Sequence, residues 1–410
     1  YFIDWVMGTT HENISPYLIP GYDSKNSMLY VKNPYHPELS KHITFLMANR
    51  ALHGFTTDRL EFFGGNGAIE DPAALHRIGL SGALGVGSDT CGVVQLHIDL
   101  LPGARGEIYF ILGEARSEEE LSRLAKRYRD PSMIAYNLNL THAFWENLLT
   151  RIRVETPDQA VNLMLNRWWL YQTLSSRIWG RTGYYQSSGA FGFRDQLQDV
   201  LALLNVDPTI TRNQILNAAQ HQFEEGDVLH WWHPPSGRGV RTRISDNLLW
   251  LPYVASRYAA VTGDTSIWDE KVPFLHAPVL KGEEKERYGK YDRTRRVYSI
   301  FEHCKRALEK GSTHGLHGLP LIGSGDWNDG FNEVGSQGKG ESVWLAWFLV
   351  DTLNRFADVC EQRGLSEDAT RYREQAEAYR RAVEENGWDG DWYTRAFYDD
   401  GTPLGSQTSE

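Results

Sequence analysis

Cysteine is nearly absent. Cys91, Cys304 and Cys360 are scattered over 410 residues, and their spacing suits neither a disulfide framework nor a metal site. Reduced, buried thiols and a cytoplasmic setting are expected. No run approaches the roughly 18 uninterrupted apolar residues that span a membrane. No block of Lys and Arg occurs and the net charge is −11. Binding to nucleic acid, or to an anionic membrane face through this segment, is therefore not expected. A P-loop, a Gly-x-Gly-x-x-Gly turn with a following acid, and a Gly-x-Ser-x-Gly elbow are all missing, so nothing supports ATP, NAD or serine-hydrolase chemistry. No basic-then-apolar leader opens the chain. It starts within a pattern at Tyr1-Phe2-Ile3-Asp4-Trp5, as a piece of something longer would.

What is plentiful is tryptophan and tyrosine, 14 and 20 residues. These side chains join an apolar face to a polar handle. They suit large cores, and they suit a carbohydrate groove in which rings stack on C–H faces. The length exceeds one ordinary core, so two or three domains are expected.

Residues 1–115 read as β. Runs such as Val93–Leu100 and Glu107–Leu112 alternate and are broken by Pro102-Gly103 and Gly113, which fits an antiparallel sandwich. Residues 116–155 are polar and helical, with Ser117 followed by Glu118, Glu119 and Glu120 as a helix start, and they resemble a linker more than a core. From 156 to 410 the pattern is helical. Helices are expected at about 157–180, 195–204, 211–225, 246–262, 297–310, 341–363 and 366–385, with a short one near 266–275. Thr156-Pro157 is read as a cap, and Pro252 implies a kink. Connections alternate between short ones (205–210, 263–265, 364–365) and long ones (181–194, 226–245, 311–340, 386–406). Short connections make antiparallel neighbours. The long loops then gather at one end of a toroid of helix pairs, the α/α barrel. Three pairs and one member of a fourth are present, so the barrel is expected to be incomplete in this chain.

The long loops carry the chemistry. Gly325-Asp326-Trp327-Asn328-Asp329-Gly330 holds two acids three residues apart behind an uncharged run, 318–323. A carboxyl group against apolar surface keeps its proton more readily, as a general acid must. The plainer reading is an Asx-type turn in which the acids bond local backbone N–H groups. Another loop delivers Arg194 and Asp195 to a helix start, where an aspartate either caps the helix or grips sugar hydroxyls. His230 and His233 have a spacing that metal ligands use, but no further His or Cys accompanies them, and no metal is expected. Arg238, Arg241 and Arg243 precede Ser245-Asp246. Such arginines hold a phosphate, line a sugar groove or simply form salt bridges. Glu341 reads as helix-cap chemistry. The last loop, Trp388-Asp389-Gly390-Asp391-Trp392-Tyr393, again joins aromatics to acids.

Taken together, Phe193-Arg194-Asp195 with Gln198-Asp199, Ser245-Asp246-Asn247-Leu248-Leu249-Trp250-Leu251-Pro252, the Gly325–Gly330 loop and Gly340-Glu341-Ser342-Val343-Trp344 resemble glycoside hydrolase family 94, the inverting phosphorylases. The motifs occur in the same order and the likeness covers essentially the whole chain. Asn166–Leu174 and Tyr185–Ala190 look most like the phosphorylase region of cyclic β-1,2-glucan synthases. The resemblance implies the later part of a β-sandwich, a helical linker and about two-thirds of an (α/α)6 barrel. It implies Asp329 as general acid. Trp327, Asp195 and Arg194 would hold the sugar that is cleaved off, with Arg243 and Asp246 as further substrate contacts. It implies a β-glucan oligosaccharide and inorganic phosphate as partners, no cofactor, and α-glucose 1-phosphate as product; a homodimer is allowed. Disaccharide phosphorylases of the family carry an arginine shortly before the Arg-Asp pair. Ser187-Ser188-Gly189-Ala190 has none, which argues against cellobiose. An inverting hydrolase on the same barrel, with Asp326, Asp195 or Glu341 as base, and a non-catalytic glucan-binding domain are the alternatives.

Overall fold

A computed structural model describes residues 1–8, 10–65, 67–87, 89–180, 189–282 and 284–409. The chain forms two compact units, Tyr1–Trp145 and Glu146–Glu410.

The first unit is built on two antiparallel sheets. One has the order β1-β6-β5, from Phe2–Asp4, Thr90–Gln95 and Gly54–Asp58. The other has the order β2-β3-β4-β7, from Ile19–Asp23, Met28–Lys32, Ile43–Ala48 and Phe110–Ala115. Register follows side-chain alternation. On β3 and β4, Leu29 pairs with Leu46, and Met28 pairs with Met47. Leu29, Val31 and Leu46 point into a core with Trp5, Leu18 and Val94. Met28, Phe45 and Met47 point the other way. That second face is covered by α1, Glu118–Arg129, which buries Leu121 and Ala125 there. The linker reading of this stretch is thus corrected for α1. Two small apolar positions on an otherwise charged helix are easily passed over in sequence, yet they suffice to seat it. Its cap is as expected, with Ser117 Oγ accepting from Glu120 N at 3.1 Å. A second helix, α2, spans Pro131–Leu149.

The second unit is helical. A helix with two wide, π-type turns runs over 159–178 as α3. Then come α4 (Phe193–Leu201), α5 (Pro208–Ala219), α6 (Trp250–Thr262), α7 (Ile300–Gly311), α8 (Val343–Gln362) and α9 (Ser366–Ala382). Side-chain caps set several starts. Asp207, Ser299 and Ser342 each accept a backbone N–H from the first turn of α5, α7 and α8. Asp158, two residues past Thr156, caps α3. Pro252 lies in the first turn of α6, where its missing N–H has no intrahelical partner to lose, so the expected kink is not required. One apolar cluster joins α4 to α9, including Leu197, Ile215, Val254, Leu308, Leu353 and Tyr379. The three cysteines are buried and unpaired. No helix among the described residues is long and apolar enough to cross a membrane.

Two departures lie between α5 and α7. Residues 226–245, read as loop, contain a hairpin, β9 (Leu229–His233) and β10 (Arg238–Thr242). It extends a four-stranded sheet of order β12-β10-β9-β8 with Glu286–Gly289 as β12 and Phe191–Gly192 as β8. The expected short helix near 266–275 is a single turn, Thr265–Asp269, followed by β11 (Lys271–His276), which pairs with β13 (Asp292–Ser299).

The long loops are knitted together, as their alternation requires. β8 pairs with β9, Ile244 bridges Gly323, and Leu321 bridges Glu341. Glu341–Ser342 (β14) pairs with Ala396–Phe397 (β15).

Two histidines in this unit predict its acid response. Burial pushes both His221 and His303 down to about 4. His221 stacks on Trp232 at 3.8 Å and bonds the carbonyl of Asn217, and His303 bonds Gln222. Both rings are neutral in the fold, whereas the unfolded chain protonates them near 6.5. Unfolding therefore takes up protons as pH falls from 6.5 towards 4, and stability present above 6.5 is lost across that window. Each ring contributes on the order of 3 kcal/mol. Urea midpoints should fall between pH 7 and 4.5, and the fall should be shallower in His221→Gln and His303→Gln.

Candidate active site

Arg194 is the second residue of α4, and its guanidinium is buried. Nη1 donates to both carboxylate oxygens of Asp246 at 3.1 and 3.3 Å and to the carbonyl of Asp326 at 3.2 Å. Nη2 donates to both oxygens of Asp329 at 3.0 and 3.1 Å. Burial alone would lower the pKa of Arg194, but the facing carboxylates of Asp246 and Asp329 outweigh it and hold it above the ordinary value. Asp246 is fully buried and also accepts from Trp250 Nε1 at 3.0 Å. Burial pushes the Asp246 carboxyl up to about 6, against the opposing pull of Arg194.

The two acids of the Gly325–Gly330 loop are sorted by direction. Asp326 is fully buried. Its Oδ2 accepts from Ser342 Oγ at 2.6 Å, and its Oδ1 accepts from Arg395 Nη2 at 2.6 Å and Asn328 N at 3.0 Å. Asp329 faces out, with its side chain 48% exposed. The apolar run before the loop does not enclose it, contrary to expectation. Leu319 packs with Val343, Ala346 and Phe397, and Ile322 packs with Val334 and Ala396. The run serves the core beneath the loop, and Arg194 is what meets the Asp329 carboxylate.

Trp327 is 53% exposed, with Nε1 3.4 Å from Gln198 Oε1 and its ring 5.9 Å from the Arg194 guanidinium carbon. Asp195 sits in the first turn of α4 and is not its cap; Gly192 holds that position. A Cβ on Gly192 would lie 1.9 Å from Asp195 Oδ2, so the carboxylate folds back over a residue that has to be glycine. Arg177 Nη2 is 3.9 Å from Asp195 Oδ1. His230, on β9, is half-buried, with Nε2 3.6 Å from Asp329 Oδ2 and Nδ1 2.7 Å from Asn247 Nδ2. Burial lowers its pKa, and Asp329 pulls the other way. His233 instead sits edge-on to Trp231.

The structure thus brings together five of the six expected site residues: Arg194, Asp195, Asp246, Trp327 and Asp329. Arg243 is placed elsewhere. Its guanidinium donates to the carbonyls of Glu284, Leu280 and Gly282 at 3.0–3.1 Å. It lines a recess of about 200 Å³ with Ser245, Leu248, Lys310 and Thr313, whereas Asp329 does not line it. Glu341 is buried, and its carboxylate accepts from the backbone N–H groups of His317 and Leu319 and from His317 Nδ1 at 2.6 Å. It staples a turn. Residues Tyr184 to Ser188, which carry part of the family likeness and the missing arginine, lie outside the described residues. Sequence reasoning missed Arg395, 69 residues from its partner Asp326, because nothing local marks it. It weighed His230 only as a metal ligand.

The Asp326 anchorage has a measurable cost. Removing the cation from a buried pair usually costs about 3–5 kcal/mol. Arg395 is 29% exposed, so Arg395→Met should cost about 3 kcal/mol, at the low end of that range. Adding Asp326→Asn to the same chain should recover part of the loss, because the uncompensated carboxylate is gone. Denaturant unfolding of the two single variants and the double variant gives the coupling.

The family profile described as "Glycosyl hydrolase 94, supersandwich domain" matches residues 1–131, and that described as "Glycosyl hydrolase 94 superfamily, catalytic domain" matches residues 144–410. The cyclic beta-(1,2)-glucan synthase NdvB of Rhizobium meliloti (strain 1021) is 41% identical over 99% of this chain and 14% of its own length. The 3-O-beta-D-glucopyranosyl-beta-D-glucuronide phosphorylase of Paenibacillus borealis is 31% identical over 90% of this chain and 45% of its own length. The 1,2-beta-oligoglucan phosphorylase of Listeria innocua serovar 6a is 24% identical over 58% of this chain and 22% of its own length. The chain therefore spans less than half the length of these relatives. A bacterial glucoamylase solved with acarbose aligns over 93% of this chain and 51% of its own, at TM-score 0.55 and 14% identity. That likeness concerns the fold alone, a helical α/α barrel following a β-sandwich. With both profiles matching in order, the chain belongs to the glycosyl hydrolase 94 superfamily.

Proposed function

We propose that the protein containing this chain cleaves a β-linked glucan with inorganic phosphate, with inversion, and releases α-glucose 1-phosphate. The observation that carries this reading is the unequal fate of the acids. Asp326, Asp246 and Glu341 are buried and hydrogen-bonded, while Asp329 faces solvent beside the exposed Trp327.

An inverting hydrolase needs a second carboxylate to activate water, usually about 6.5–9.5 Å from the acid. Two of the three candidate bases, Asp326 and Glu341, are locked by donors, which disfavours that alternative. Asp195 is better suited to gripping sugar hydroxyls, with Arg177 close to it. Phosphate brings its own negative oxygen and needs no such base. Asp329, protonated, passes its proton to the glycosidic oxygen as the C1–O bond to the departing glucan breaks. A phosphate oxygen forms the new C1–O bond from the opposite face. The glucan leaves with a free hydroxyl, and the proton carried by the phosphate returns to Asp329. Trp327 offers its indole face to the sugar ring. A β-1,2 linkage is supported by the names of two relatives, the cyclic beta-(1,2)-glucan synthase and the 1,2-beta-oligoglucan phosphorylase.

Asp329→Asn in the whole protein should lower phosphate-dependent release of glucose 1-phosphate from β-1,2-glucan by about 10²–10⁴-fold, the usual worth of general acid catalysis. Undiminished turnover would sink the assignment. The same assay without phosphate separates the alternatives: sugar released there means a hydrolase, and glucan binding with no product in either buffer means a binding domain.

A further inference from the structure

Asp329 has two neighbours able to donate to its carboxylate. Arg194 reaches both oxygens from one nitrogen. His230 stands beside Oδ2 alone, with Nε2 at 3.6 Å. The other ring nitrogen faces the side-chain amide of Asn247 at 2.7 Å. Asn247 is buried, and its carbonyl oxygen has no partner among the described residues, so its side-chain hydrogen bonding goes wholly to the ring.

A neutral imidazole has one N–H, and its neighbours decide which nitrogen carries it. A bare Nε2 would set a lone pair against the Asp329 carboxylate. The arrangement that satisfies both ends has the Asn247 amide donating to Nδ1 and the ring proton on Nε2, aimed at Asp329. Burial keeps the ring neutral and the nearby charge of Arg194 acts the same way, while the acids that face it, Asp329 and Asp195, oppose. The 3.6 Å separation is one of those that commonly shorten when substrate closes a site.

We propose that His230 is a positioning residue for the acid. Arg194 takes one lone pair of each Asp329 oxygen and the His230 Nε2–H takes the second on Oδ2, so the proton to be delivered sits on the remaining lone pair of Oδ1. This rests on the reading of Asp329 as the acid. During turnover Oδ1–H passes to the glycosidic oxygen as C1–O breaks and the phosphate oxygen bonds C1. The proton from the phosphate then restores Oδ1–H, and His230 keeps its own proton throughout.

The test uses the whole protein with inorganic phosphate and two donors, a β-1,2-glucan oligosaccharide and β-glucosyl fluoride. Fluoride departs with little help from an acid. His230→Ala should lower kcat on the glucan by about 10–100-fold, within the range that acid catalysis supplies, with KM changed less than about twofold and turnover of the fluoride nearly kept. His230→Gln can place an amide N–H near the former Nε2 and should recover much of the loss. His230→Leu fills the ring's volume and replaces the alanine variant if that one does not fold. Equal losses on both donors, or a raised KM at unchanged kcat, overturn the proposal. Failure of the underlying reading shows separately, as full glucan turnover by Asp329→Asn.

Discussion

The site depends on one buried guanidinium. Arg194 ties together three pieces of chain that are far apart in sequence: the start of α4, Asp246 at the head of the turn that leads into α6, and the Gly325–Gly330 loop. A buried cation needs partners that satisfy it on every side, and here they come from two loops, Asp246 from one and both Asp326 and Asp329 from the Gly325–Gly330 loop. The cost of burial falls on the carboxylate with no exit. Asp246 is pushed up to about 6 although Arg194 touches it. Two cations, Arg194 and Arg177, face Asp246, Asp329 and Asp195, and Arg177 is shared with Asp199, which leaves the cluster with surplus negative charge. An anion brought to such a cluster meets repulsion that a bound proton relieves. A site that uses an anionic nucleophile and a protonated acid is served by that coupling, because the two arrive together.

The barrel's part is to hold the loops in register. Helix pairs joined by short connections leave the long ones at one end, and those loops then bond to one another. Ser324 N donates to the Arg243 carbonyl at 3.1 Å, and Ser245 N donates to the Gly325 carbonyl at 2.9 Å. The approach is close enough that Gly323, at φ +63°, would place a Cβ 2.1 Å from the carbonyl oxygen of Arg243. Any side chain there would prise the acid's loop from its neighbour. Gly323, two residues ahead of the Gly325–Gly330 loop, therefore answers to packing between loops as well as to turn geometry.

Much of this was legible in the sequence where the determining forces are local. The cap at Ser117 and the 3.6-residue periodicity of α8 depend on neighbours within a turn. The alternation of loop lengths carried further, because it is a property of order alone. The hairpin of β9 and β10 was not legible. Both its faces carry aromatic or charged residues with work to do: Trp232 stacks on His221, His230 faces Asp329, and Arg241 is fully buried against Asp227. Alternation between polar and apolar therefore disappears. Contacts such as Arg194 to Asp329, 135 residues apart, have no local signature at all. Family likeness placed both residues in one site without giving their contact.

The loop of two acids shows why its plain and catalytic readings were evenly matched. Each describes a different aspartate. Asp326 makes the Asx turn, accepting Asn328 N, and it is nailed from behind by Ser342 and Arg395. Its carbonyl is also the one that Arg194 grips. Asn328 repeats the device one step on, accepting Gly330 N at 3.0 Å. Two successive turns of this kind leave the Asp329 side chain no inward path, so it projects towards solvent. A single acid on a free loop would pay conformational entropy each time it took up a productive angle. Here that ordering is done in the fold, by the buried and hydrogen-bonded Asp326. The pair is thus not two candidates for one role, and the spacing of three residues is what lets one carboxylate be fixed so that the other can be aimed.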